Sequence, residues 1–186
     1  MIAVIVIVAI VIILAVILVA TYNGLVQARN RCDEAWSTID VQLKRRHDLI
    51  PNLVETVKGY ATHESEAFEK VSNARAAAMG AKTPGESGVA EGFLSQALGG
   101  LFAIAEAYPQ LRAVESFTQL QTELSNTEDQ IAGARRLYNG NVQAYLTKIQ
   151  QFPGALVAGP FKFGERDYFE LDEPADREPV KVDFSS

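Results

Sequence analysis

Several things this chain has little of narrow its chemistry at once. A single cysteine, Cys32, excludes an intramolecular disulfide. There are only two histidines. His63-Glu64 begins like a zinc-protease motif, but Ala67 stands where the second histidine is needed one turn later. A di-iron bundle wants a Glu three residues before each histidine, and Tyr60 and Lys44 occupy those positions. No Gly-x-Ser-x-Gly elbow, Walker loop or Gly-x-Gly-x-x-Gly turn occurs. Basic residues number 17 against 23 acidic ones, so the chain lacks the cationic excess of a nucleic-acid-binding protein. These absences predict no catalytic, cofactor-binding or metal site, no small-molecule substrate and no enzyme.

What the first stretch lacks is charge. Residues Ile2 to Ala20 are drawn only from Ile, Val, Leu and Ala. As a helix they cover roughly 28 Å, close to the ~30 Å hydrocarbon thickness of a bilayer. A cleaved signal peptide fits poorly: no basic region precedes the run, and Leu18-Val19-Ala20 lacks the small residue wanted three positions before a cut. The expectation is a retained single-pass anchor with the lipid bilayer as partner. Arg29 and Arg31 follow the run closely, which favours a cytoplasmic domain after it. Within 165–186, eight acidic and three basic side chains give net −5 of the chain's −6, leaving the rest near neutral.

Beyond the anchor, apolar spacing is helical. Tyr22, Leu25, Cys32, Trp36, Ile39 and Leu43 share one stripe, predicting that the first helix leaves the bilayer unbroken and runs to about Arg46. Lys44, Arg45 and Arg46 would then complement the carbonyl end of its dipole. Pro51 predicts a turn near 47–50 and a second helix from there to about Ala78. Gly80, Pro84, Gly85, Ser87 and Gly88 read as a mobile loop, followed by a short helix over 89–107. A last helix over about 111–151 carries Phe117, Leu120, Leu124, Thr127, Ile131, Tyr138, Tyr145 and Phe152 in one coiled-coil-like register. On these lengths the last helix outruns its partners by two to five turns, roughly. The uncovered stripe suggests a second copy, the membrane or the C-terminal tail as its cover. The tail, with Phe161, Phe163, Tyr168 and Phe169, is expected to dock on that helix.

The fold class is therefore all-α: an N-terminal transmembrane helix, 1–21, continuing into an antiparallel bundle of about four long helices, 22–152, with an aromatic then acidic tail, 153–186. Cys32 falls at a core-facing position and reads as an inert buried thiol. Trp36 reads as core, Tyr22 as the interfacial anchor. Arg29, Glu64, Glu128, Arg135 and Asn139 lie near the apolar stripes. They are either the lining of a ligand site or, more commonly in bundles, hydrogen-bonded groups that set helix register.

Particular stretches carry a resemblance. These are Tyr22-Asn23-x-Leu25-Val26, the run Ala35-Trp36-Ser37-x-Ile39-Asp40 continuing to Pro51-Asn52-Leu53-Val54, Val57-Lys58-Gly59-Tyr60-Ala61-x-His63-Glu64, Tyr108-Pro109-x-Leu111, and Thr127-Glu128-x-x-Ile131-x-x-Ala134-Arg135-x-x-Tyr138-Asn139. In this order and over this length the chain resembles LemA proteins. Leu146 and Val114-Glu115 depart from the usual pattern without touching a known active site. The resemblance implies a helical bundle at the bacterial plasma membrane and no established activity. Some relatives are associated with bacterial organelle membranes.

Two functions follow as expectations. One is a non-enzymatic, membrane-anchored scaffold, a homo-oligomer that organises or shapes the membrane. The other is an adaptor that binds another membrane protein, such as a membrane protease, through its bundle or aromatic tail. A ligand-binding bundle built on the polar core is the third possibility.

Overall fold

The structure, a computed structural model, describes residues 1–171; the acidic end of the tail, with Val180 to Phe184, lies outside the described residues. Among the described residues six helices follow in order: α1 (Ile2–Lys58), α2 (Ser65–Gly80), α3 (Pro84–Glu106), α4 (Pro109–Arg112), α5 (Glu115–Gln150) and α6 (Gly154–Ala158). No strand occurs among the described residues. The all-α bundle with a long apolar N-terminal helix is as the periodicity predicts. The chain divides into two compact units, Met1–Asp40 with Ala132–Tyr168, and Val41–Ile131 with the residues from Phe169 onward.

The helix boundaries differ from expectation in an instructive way. α1 does not stop at Arg46 but passes through Pro51 to Lys58. Proline removes the N–H that would bond the carbonyl four residues back, that of His47. Arg75 of α2 supplies the missing donor, its Nε lying 2.7 Å from the His47 oxygen. The first real break is at 59–64, and α2 begins only at Ser65.

The expected loop over 80–88 shrinks to 81–83. Thr83 caps α3: its hydroxyl accepts from the Glu86 N–H while the Glu86 carboxylate accepts from the Thr83 N–H, with Pro84 in the first turn. This is a capping box that the Pro and Gly content disguised. Gly99 and Gly100 sit inside α3 without breaking it.

With α1 running to Lys58, its part beyond the apolar run is about 57 Å long and α5 about 54 Å. The two match. α5 therefore does not outrun α1, while α2 and α3 remain shorter than it.

In the first unit, Leu25, Ala28, Cys32, Ala35 and Ile39 of α1 are buried, as are Tyr138, Val142, Tyr145 and Ile149 of α5. Trp36 packs on Tyr138 at a tilt of 55° with ring centroids 5.4 Å apart, and the Asn141 side-chain amide donates to the Arg31 carbonyl at 3.1 Å. Ascending numbers on α1 meet descending ones on α5, so the pair is antiparallel. In the second unit Ile50, Leu53, Val57, Phe68, Val71, Leu94, Leu101, Leu111, Phe117 and Leu124 form the core.

Candidate functional site

Two places gather polar or aromatic side chains. The first is a buried ion cluster in the second unit. Arg46, expected on an exposed last turn, is 1% exposed, because α1 continues past it and α3 covers it. Its guanidinium lies 3.1 Å from Glu91 Oε2, 2.7 Å from Glu128 Oε1 and 2.8 Å from the Ser95 hydroxyl. The other Glu91 oxygen is 2.6 Å from His47 Nε2. One helical turn thus presents Arg46 and His47 to a single carboxylate, itself 1% exposed. Beside it, the exposed Arg45 pairs with Glu123.

A His, a Glu and a Ser within reach of one another invite comparison with an acid–base site. The arrangement is closed on itself except at one atom: both Glu91 oxygens and both terminal guanidinium nitrogens are committed to protein partners, while the buried Arg46 Nε has none. Removing two charges from water costs several kcal/mol, roughly, unless each finds a close counter-charge, and here each does. Among the described residues no three His, Cys, Asp or Glu side chains gather as metal ligands would.

The second place is where the aromatic tail lies in the first unit. Tyr138 and Tyr145 of α5 donate their hydroxyls to the carbonyls of Asp167 and Gly164, each at 2.8 Å. Arg166 pairs with Asp33 at 2.8 Å. Phe161 and Phe163 pack edge-on against Tyr22, with centroids 5.0 and 5.6 Å away, and the Arg29 guanidinium lies 5.2 Å from the Phe163 ring centre. The tail does dock on the last long helix. Burial pushes the Cys32 thiol up from its ordinary pKa, in keeping with an inert side chain. Burial also pushes the Tyr138 phenol up to about 12, Arg166 opposing it in part.

Of the polar residues singled out from sequence, Glu128 joins the ion cluster and Arg29 the aromatic one. Glu64 precedes α2 and lines an open groove of about 700 Å³ between α2 and α3. Arg135 and Asn139 are half-buried on α5 in the first unit. Glu64 and Glu128 belong to the second unit, and Arg29, Arg135 and Asn139 to the first. Sequence reasoning missed Glu91 and Arg75. Glu91 was legible as the one carboxylate on the otherwise apolar Ala90–Leu94–Ala97 face of α3; nothing in the sequence marked Arg75.

The family model described as the LemA family matches residues 35–184. Magnetosome protein MamQ 1 of Paramagnetospirillum magneticum is 26% identical over 189 residues, covering 88% of this chain and 69% of the relative. MamQ of Magnetospirillum gryphiswaldense is similar to the same extent, with the same coverage. Protein LemA of Metamycoplasma hominis is 28% identical over 170 residues, covering 91% of this chain and 76% of the relative.

Proposed function

Because this chain belongs to the LemA family, we propose that it is a non-enzymatic, membrane-anchored scaffold that self-associates to organise or shape the bacterial plasma membrane. The observation that carries the reading is the continuity of α1 from its apolar run into the bundle, Ile2 to Lys58 without a break. A helix unbroken at the membrane surface carries the tilt of its anchor to the residues packed on it in the first unit. The closure of the Arg46–Glu91 cluster supports a structural rather than a catalytic use of the polar core. That relatives bear the name magnetosome protein is in keeping with membrane organisation. Arg29 and Arg31 support a bundle on the cytoplasmic side.

The surface for self-association is the α2–α3 groove. Ala67, Ala74, Ala97, Gly100 and Ile104 line it, Phe93 stands exposed beside them, and Glu64, Glu66 and Lys70 rim it. Small residues admit a second helix at close range, and an exposed Phe supplies the apolar anchor such contacts use. Phe163 and Phe169 of the tail are already buried within the chain. An adaptor would therefore receive its partner in this same groove rather than through the tail.

Crosslinking in membranes, with a mass measurement of the detergent-solubilised protein, tests the reading. A discrete homo-oligomer is expected, weakened by Phe93→Ser and by Ala97→Glu. A strict monomer at micromolar concentration overturns the scaffold. A stoichiometric unlike protein, lost in the same variants, favours the adaptor.

A further inference from the structure

The first unit places the end of α5 level with the end of the apolar run. Trp36 meets Tyr138, the Arg31 carbonyl meets Asn141, and Thr21 and Gly24 share a cleft with Lys148 and Gln151. Continued along the antiparallel pair, that register sets Phe152 beside Ala20, the last residue of the span. The chain then turns through α6 and comes back, so that Phe161 touches Tyr22 two residues beyond the span. Residues 152–161 are thus the membrane-facing end of this unit.

That end is greasy where a soluble surface would be polar. Phe152 is 81% exposed, Leu156 68% and Phe161 49%. It also carries cations without anions. No Asp or Glu occurs between Gln130 and Gly164, while Lys148 and Lys162 are exposed; on α1 no carboxylate follows the apolar run until Asp33. Lys162 holds a left-handed backbone, φ 57°, between two rings that both face Tyr22. Glycine would adopt that conformation without strain, yet a lysine stands there.

We propose that the 152–161 turn is a second membrane contact. Phe152, Leu156 and Phe161 enter the boundary between headgroups and acyl chains of the bilayer that holds the span, and Lys148 and Lys162 meet lipid phosphates. The occupant is lipid because the patch is continuous with the spanning helix and of the sign that anionic headgroups attract. The inference rests on the membrane-anchored reading above. With two contacts side by side, the first unit cannot swivel about its anchor.

Spin-labelled cysteines test it in the full chain, since Cys32 is buried and stays unlabelled. Phe152→Cys, Leu156→Cys, Phe161→Cys, Leu137→Cys and Ile10→Cys are reconstituted singly into vesicles of phosphatidylethanolamine and phosphatidylglycerol. Collisions with oxygen, which enters lipid, are compared with those of an aqueous nickel chelate. At 152 and 156 oxygen is expected to win several-fold, while Leu137, exposed on α5 far from the span, gives the reverse. Equal behaviour of 152, 156 and 137 overturns the proposal. So does exclusion of both reagents at 152 and 156, the mark of a covering protein copy. Should Phe152→Cys fail to fold, Leu156→Cys and Phe161→Cys carry the same reading. Chelate access at Ile10 would instead show that the anchor itself is wrong.

Discussion

Arg75 donates its Nε–H to the carbonyl oxygen of His47 across 2.7 Å, and that carbonyl is the one Pro51 leaves without a helical partner. The bond joins α2 to the point on α1 where a proline would otherwise end the helix. An unpartnered buried carbonyl costs about 1–3 kcal/mol. Arg75→Ala is therefore expected to destabilise the fold by about that amount in denaturant titration. Pro51→Ala restores an N–H to the same oxygen, so in that background Arg75→Ala should cost measurably less. Additive effects of the two substitutions would show that the arginine does not act through this carbonyl.

Arg46 and Glu91 make a sharper case, because neither can reach water. Glu91→Gln leaves Arg46 with the half-exposed Glu128 as its one counter-charge, and Arg46→Met leaves Glu91 with His47 alone, so a loss approaching about 3 kcal/mol is expected for each. Replacing both with apolar residues should recover much of it, since the desolvation cost then disappears with the charges. Chemical denaturation of the four variants as a cycle decides this. A double variant as unstable as the two single losses combined counts against the pairing.

How far these features could be read from sequence follows from what each rests on. The span, the buried positions Leu25, Cys32, Ile39, Ile131 and Tyr138, and the docking of the aromatic tail all come from local periodicity or composition, which the sequence displays directly. Pro51 was misleading because local propensity favours a helix end there, whereas a side chain from another helix replaces the lost donor. Gly80 to Gly88 misled for a related reason: the turn-forming residues concealed a Thr83–Glu86 cap that starts a helix. The ion cluster depends on three helices meeting. A helix ending at Arg46 would leave that side chain exposed, whereas one running on to Lys58 buries it.

Tyr138 offers a test by pH. Its side chain is fully buried and its phenol is pushed up to about 12, first by burial and then by Cys32, Asp167 and Asp33, against the lowering effect of Arg166. The folded state holds this proton more tightly than the unfolded chain does. The associated stability is present below the ordinary tyrosine value of about 10 and is lost as pH rises through about 12, on the order of 2 kcal/mol in all. Comparing the ultraviolet titration of the protein with that of Tyr138→Phe isolates the group. A difference curve centred at the ordinary value would mean that Tyr138 is reached by water.

Gly88, on α3 in the second unit, lies against the main chain of the returning tail. A Cβ at this position would lie 2.1 Å from the Glu170 carbonyl oxygen. The atom in the way is main chain and cannot rotate aside. Gly88→Ala must therefore push the segment at Phe169–Glu170 off α3 or distort the helix, and Phe169, fully buried, would lose its cover. Exposing such a ring costs about 1.5–3 kcal/mol. The expected outcome is rapid proteolytic cleavage around 165–171 in Gly88→Ala while α1 to α5 stay protected, with hydrogen exchange rising in the same segment. An alanine variant as resistant as the parent would show that the tail does not lie against α3 at that glycine.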